Sequence, residues 1–191
     1  MTSALLLPSE HRELATDAGV LRYRVVGVGP PLLMLHGSDP GVTGWRSFDG
    51  VLAPFAEFFR CLILEVPSHD AVSALIAGLR LESVDIVGDS TGGGIGIDYA
   101  ISHPGRVRRL VTIGAAGSAP ATMIQRVTAS TLITWGRDDQ MNSVDMAMRP
   151  MRMIPNAELH VFGHCGHSVM AEQPEAFVST VLAFLLCKDS D

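Results

Sequence analysis

Charge, aromatic side chains and long apolar runs are all scarce in this chain of 191 residues. Charged residues make up 18% and aromatic residues 6%, and the formal net charge is −6. Binding to nucleic acid or to an anionic membrane needs a basic surface, so the acidic balance argues against both partners. No run approaches the roughly 18 apolar residues of a membrane span, and the apolar residues 4–7 are too few for a signal-peptide core. We therefore expect a soluble protein.

Cysteine is scarce as well, with only Cys61, Cys165 and Cys187 in the whole chain. Three scattered cysteines form neither a disulfide framework nor a zinc ribbon, and they favour the reducing cytoplasm as the compartment. His164, Cys165 and His167 could suggest a metal site, but no second ligand cluster accompanies them. We expect no metal and no cofactor.

Short apolar runs alternate with helical patterns along the chain. The runs are rich in β-branched residues and bounded by glycine, proline or aspartate, which is typical of strands buried on both faces of a parallel sheet. The strands predicted from these runs are residues 31–35, 61–64, 84–87, 110–113, 132–135 and 159–162. Residues 21–26 alternate between apolar and polar side chains and predict a half-exposed strand. The predicted helices are residues 45–55, 71–79, 92–103, 144–154 and 174–186. This alternation predicts a doubly wound, mostly parallel α/β sheet, built as a single domain over residues 1–191.

The most informative segment is Gly88-Asp89-Ser90-Thr91-Gly92, which lies between a predicted strand and a predicted helix. It is a G-x-S-x-G motif in the context that a nucleophilic serine requires, a tight strand-to-helix turn. The amide of Thr91 opens the new helix and could stabilise an oxyanion. A tight phosphate-binding or purely structural turn is the alternative. We identify Ser90 as the candidate nucleophile.

An acid and a histidine follow at the ends of two later strands. Asp138 and Asp139 follow residues 132–135 after two intervening residues, and His164 and His167 come after residues 159–162. Carboxyl ends of parallel strands meet at one edge of the sheet, where open α/β folds bind their ligands. The residues alone do not decide which acid or which histidine would act.

A glycine-rich loop follows the strand at residues 31–35. It begins His36-Gly37-Ser38, and it can turn the backbone amide of Ser38 toward the serine as a second oxyanion donor. Gly37 would then border the substrate. An ordinary strand–helix connection is the alternative.

The four segments HGSDPGVTGW, VGDSTGGG, LITWGRDD and LHVFGHCGH resemble the meta-cleavage product hydrolases of the α/β-hydrolase fold. These enzymes hydrolyse carbon–carbon bonds of ring-fission products, and the similarity covers about residues 21–186. The resemblance implies that Asp139, rather than Asp138, is the orienting acid and that His167, rather than His164, is the base.

The chain departs from that family in two respects. Only residues 115–129 join the two strands between which the family carries a helical cap, so we expect no cap domain. At family substrate positions, Asp89 and Ser47 each replace an asparagine, and Ser168 replaces an aromatic residue. The resemblance implies that these three residues and Gly37 contact the substrate.

The favoured interpretation is a serine hydrolase with the triad Ser90, Asp139 and His167, acting on a small carbonyl substrate, either an ester or an activated carbon–carbon bond. Two alternatives stay open: a cyclase or lyase that reuses the pocket, and an inactive protein of this fold that only binds ligands. The expected partner is a small molecule, and a second copy of the chain could cover a site that lacks a cap.

Overall fold

The computed structural model describes residues 9–17, 19–38, 43–117 and 119–187. Its core is one sheet of eight strands in the order β1-β2-β4-β3-β5-β6-β7-β8. The strands are β1 Glu10–Thr16, β2 Gly19–Val26, β3 Pro31–Leu35, β4 Arg60–Leu64, β5 Val84–Asp89, β6 Val107–Ile113, β7 Ser130–Gly136 and β8 Ala157–Phe162. Strands β3 to β8 pair in parallel, while β1 and β2 are antiparallel to their neighbours. The predicted doubly wound, mostly parallel sheet is therefore confirmed.

Helices cover both faces of this sheet. They are α1 Gly44–Ala56, α2 His69–Gly78, α3 Thr91–Ser102, α4 Ala121–Ile124, α5 Met148–Met153, α6 Val169–Glu172 and α7 Pro174–Leu186, with a 3-10 turn at Val144–Ala147. In β3, Leu32 and Met34 pack on the side of α1 and α7, while Leu33 and Leu35 pack on the side of α2 and α3. Burial of both faces explains why the central strands have continuous apolar sequences. No helix within the described ranges has both the length and the apolarity needed to cross a membrane.

Both edges of the sheet differ from the expectation. The edge strand β1 was not predicted, because its sequence EHRELAT is mostly polar and exposed. The other edge strand, β8, is mainly exposed instead of buried on both faces. Charged or polar side chains on edge strands are a common protection against pairing with other chains, and they hide such strands from an analysis that searches for apolar runs.

The path of the chain creates the crevice for a site. From β3 the chain crosses to β4 on one side and then returns to β5 on the other side of β3. Ligands of open α/β sheets bind where the strand order reverses in this way, at the carboxyl ends of the strands. The connection from β6 to β7 also lies at this edge. Its described part holds only the single-turn helix α4.

Candidate active site

Ser90 lies in a strained turn between β5 and α3. Its backbone has φ 50° and ψ −116°, a left-handed conformation that non-glycine residues rarely adopt. The turn can form only because its flanking positions lack side chains: a Cβ on Gly88 would lie 2.6 Å from the Gly93 nitrogen, and one on Gly92 would lie 2.2 Å from the Leu35 carbonyl oxygen. Backbone strain of this kind concentrates at functional sites.

Thr91 is the first residue of α3. Amides of the first helical turn have no acceptor within the helix, and the helix dipole favours negative charge at this end. The backbone amide of Thr91 therefore lies where the predicted oxyanion donor is needed, because Thr91 directly follows Ser90.

Asp139 and His167 form a hydrogen-bonded pair. Nδ1 of His167 lies 2.7 Å from Oδ2 of Asp139, and the side chains are 11% and 0% exposed. The other carboxylate oxygen accepts the amides of Met141 at 2.8 Å and Asn142 at 2.9 Å. Burial raises the pKa of Asp139, but these amides and His167 outweigh it and hold the pKa below its ordinary value. An ionised carboxylate can only accept, so Nδ1 carries the proton and Nε2 of the neutral ring is an acceptor.

The dipeptide Ile113-Gly114 brings His167 close to Ser90. The Ser90 amide donates to the Ile113 carbonyl at 2.8 Å. The next residue, Gly114, has φ +58°, and a Cβ there would lie 3.0 Å from Cε1 of His167 and 3.7 Å from Oδ2 of Asp139. Nε2 of His167 is buried and has no hydrogen-bond partner among the described residues. The structure thus gathers all three predicted triad residues around the end of β6.

The neighbouring acid and histidine have different surroundings. Asp138 is exposed and pairs with Arg137 at 2.9 Å, and His164 is exposed with Nδ1 3.4 Å from the same guanidinium. The structure therefore pairs Asp139 with His167, and it leaves Asp138 and His164 on the outer side of the two loops. Within the described ranges, no three histidine, cysteine or acidic side chains are grouped closely enough to hold a metal ion.

The loop after β3 lies against the serine. A Cβ on the buried Gly37 would lie 3.3 Å from Cβ of Ser90. Nε2 of the preceding His36 lies 3.0 Å from the Glu65 carbonyl oxygen, which ties the end of β3 to the end of β4. Ser38 follows and is exposed. Residues 39–42 of the predicted loop lie outside the described residues, as do the apolar residues 4–7.

The predicted substrate contacts divide into near and distant residues. Oδ2 of Asp89 lies 3.7 Å from the position of a Cβ on Gly37, so a carboxylate borders the same space as Ser90. Ser168 is exposed and directly follows His167. The hydroxyl of Ser47 donates to the Thr43 carbonyl at 3.3 Å, within the first turn of α1. No described contact brings Ser47 to the triad, and its substrate role stays a prediction.

Asn142 is a site residue that sequence reasoning missed. Its amide donates to Asp139, its side chain donates to the Gly114 carbonyl at 3.0 Å, and its carbonyl accepts the Trp135 indole at 2.8 Å. It thus joins the ends of β6 and β7 directly behind the acid–histidine pair. In the sequence, only its position three residues after the strand-end acid Asp139 could have indicated that Asn142 belongs to the site.

Two described cavities lie apart from these residues. One of about 610 Å³ lies between α7 and the β7–β8 edge, and one of about 330 Å³ lies beside the start of α1. Ser90, Asp139 and His167 line neither of them. The candidate triad is therefore distinguished by its hydrogen bonds and backbone strain, and not by the size of a cavity.

Comparison with known proteins finds relatives in the family that the sequence motifs resemble. No family model matches the chain. The chain is 27% identical to a 2-hydroxy-6-oxo-2,4-heptadienoate hydrolase of Pseudomonas putida, over 86% of this chain and 92% of the relative. It is also 27% identical to a 2-hydroxymuconate semialdehyde hydrolase of a Pseudomonas strain, over 86% and 89%. Each alignment is 253 positions long, which exceeds the 191 residues of this chain. The relatives therefore carry segments that this chain lacks.

Among solved structures, the meta-cleavage product hydrolase CumD of Pseudomonas fluorescens superimposes with a TM-score of 0.86. The match covers 91% of this chain and 97% of CumD at 22% sequence identity, which bears on the fold alone. We conclude that the chain has the α/β-hydrolase fold and is related to the meta-cleavage product hydrolases. At the level of class it is a hydrolase, as its named relatives are.

Proposed function

We propose that the chain is a serine hydrolase in which Ser90 attacks a carbonyl carbon, His167 is the general base and Asp139 orients it. The observation that carries the proposal is the 2.7 Å bond between Nδ1 of His167 and Asp139. Nε2 is left as a buried acceptor without a partner among the described residues. A histidine held in this tautomer beside a strained serine is the arrangement that activates a hydroxyl nucleophile.

The chemistry follows from these groups. Nε2 of His167 takes the Ser90 proton as Oγ bonds to the carbonyl carbon, and Asp139 stabilises the resulting imidazolium. The amides of Thr91 and Ser38 would stabilise the oxyanion of the tetrahedral intermediate. His167 then protonates the leaving group, and the acyl chain stays on Ser90. Water, deprotonated by His167, cleaves this acyl-enzyme and restores the serine hydroxyl.

We propose a small, neutral ester as the substrate. The relatives are named for dienoates, which carry a carboxylate. Here the carboxylate of Asp89 borders Gly37 beside the nucleophile, and it would repel an anion placed there. Hydrolysis of an activated carbon–carbon bond is the second candidate, favoured by the names of the relatives.

Two further expectations belong to this proposal. A second copy of the chain would cover the site in place of a cap, because the connection from β6 to β7 is short. The cytoplasm is the proposed compartment, since free thiols at all three cysteines persist in a reducing environment.

A fluorophosphonate probe followed by intact-protein mass spectrometry tests the nucleophile. We expect one adduct on the parent protein and none on Ser90→Ala. Ser102→Ala is the matched control, because Ser102 lies at the far end of the same helix, where the Asp98 carbonyl is the one bonding partner of its hydroxyl among the described residues. This control should label like the parent.

Each other outcome of this test contradicts the proposal. An unlabelled parent would indicate an inactive binding protein. An adduct that persists in Ser90→Ala would refute the assignment of Ser90. In a parallel assay of turnover, activity that survives Ser90→Ala but is lost in His167→Ala would indicate the cyclase or lyase alternative.

A further inference from the structure

Glu172 lies at the end of α6, and its side chain reaches back to the loop that carries His167. One carboxylate oxygen accepts the Gly166 amide at 2.7 Å. The adjacent Gln173 donates from its side chain to the Gly163 carbonyl at 2.7 Å. The side chains of Glu172 and Gln173 therefore fasten the loop of residues 163–167 to the end of α6.

The loop needs such support because its backbone is irregular. His164 has a φ of 53°, in the left-handed region. A Cβ on Gly136 would lie 1.9 Å from the Gly166 carbonyl oxygen, so the loop packs directly on the end of β7. Residues in such conformations persist only where surrounding contacts hold them.

The peptide group between Cys165 and Gly166 is held from both of its ends. Its carbonyl accepts the Asp138 amide at 2.9 Å, and its N–H donates to Glu172. Asp138 precedes Asp139, and Gly166 precedes His167. One planar peptide group thus links the turn that carries the acid to the loop that carries the base, and Glu172 sets the orientation of that group.

We propose that Glu172 is a positioning residue for the reaction: it fixes the Cys165–Gly166 peptide and thereby holds the His167 imidazole in line between Asp139 and Ser90. Glu172 does not touch the substrate and acts only through the backbone. This inference rests on the proposed function, because positioning matters only if His167 is the base. A misplacement of about 1 Å in a catalytic group can cost about 10²-fold in rate.

Substitutions at Glu172 separate a hydrogen bond from a charge. Glu172→Ala removes the acceptor, and Glu172→Asp keeps the charge but is one methylene too short to reach the amide. For both we expect kcat on a p-nitrophenyl ester to fall about 10- to 10²-fold, with KM changed by less than about twofold. Glu172→Gln keeps an acceptor oxygen, and we expect it to stay within about threefold of the parent.

The matched control is Glu175→Ala, which removes an exposed carboxylate three residues further along that bonds to no other described residue. It should keep the parental kcat. The low-field proton resonance of His167 Nδ1–H provides a readout independent of turnover. It should be present in the parent and in Glu172→Gln, and shifted or lost in Glu172→Ala and Glu172→Asp.

Parental kcat in Glu172→Ala would overturn the proposal, and so would a loss in Glu172→Gln equal to that in Glu172→Ala, because the charge would then be what matters. If Glu172→Ala does not fold, Glu172→Asp decides by the same two readouts. Ser90→Ala is measured in parallel. Full hydrolysis by that variant would refute the proposed function, whereas an inactive Ser90→Ala together with a fully active Glu172→Ala would refute only the positioning role.

Discussion

Asp139→Asn tests the candidate triad most directly, because the surroundings of this carboxylate dictate how the new amide must lie. Two backbone amides, those of Met141 and Asn142, donate to Oδ1. An oxygen must stay at that position, so the NH₂ of the substituted side chain has to face Nδ1 of His167. Nδ1 then becomes the acceptor, and Nε2 carries the proton that it should instead receive from Ser90.

The expected loss is that of a triad with the wrong histidine tautomer, about 10⁴-fold in kcat, or about 5 kcal/mol in the activation barrier. The assay is steady-state hydrolysis of a p-nitrophenyl ester between pH 6 and 9. Asp138→Asn is the control, because Asp138 is the residue before Asp139 and carries an equal charge. Its carboxylate forms an exposed ion pair with Arg137. We expect less than about a threefold change in this control.

Asp139→Asn also makes a prediction about stability. The pKa of Asp139 is below its ordinary value in the folded protein. The ionised group therefore stabilises the fold above the pKa of the unfolded state, and this contribution is lost as the pH falls through the lowered pKa. The substitution should reduce the free energy of unfolding at pH 7 and diminish its decline toward pH 3. A kcat within tenfold of the parent, or an equal loss in Asp138→Asn, would refute our account of the site.

Two predictions concern groups outside the proposed triad. Burial, opposed by Arg108, raises the pKa of Asp85 from 3.8 to about 6. The folded state therefore holds a proton that the unfolded state releases, and the free energy of unfolding should fall by up to about 3 kcal/mol as the pH rises from below 3.8 to above 6. Urea titrations should show this fall, and an equally steep fall in Asp85→Asn would contradict it. Burial also raises the pKa of Cys61 to about 12 and that of Cys165 above its ordinary value. Ellman's reagent should therefore modify only the exposed Cys187 rapidly in the native protein, and all three thiols in denaturant. A second thiol that reacts rapidly in the native protein would contradict the burial of Cys61 and Cys165.

The elements that the sequence predicts well are those whose signal is local. Strand β3 begins and ends at the predicted residues, because an apolar pentapeptide between glycine-rich turns has few other uses. Ser90 could be located for the same reason, since the glycines around it report a turn that tolerates no side chain. The polar strand β1 carries no comparable signal, and only its pairing with β2 reveals it.

The partners within the candidate site were less accessible to sequence reasoning. The residues left Asp138 and Asp139, and likewise His164 and His167, as equal candidates, and only a family resemblance favoured one of each. Adjacent residues at the end of a strand point in different directions, and a loop with a left-handed residue can present either histidine. Burial of Asp139 against His167 is a property of two loops 28 residues apart, so it could not be derived from either segment alone.

The sequence by itself determined the class of fold, the edge of the sheet that bears the site and the residue in the strained turn, because apolar periodicity and glycine placement act over a few residues. The tertiary structure alone decided which acid meets which histidine, and it alone placed Asn142 and Glu172 behind them. Hydrogen bonds between loops depend on how strands far apart in the chain align in the sheet. That alignment is set by the packing of the whole core and not by any one segment.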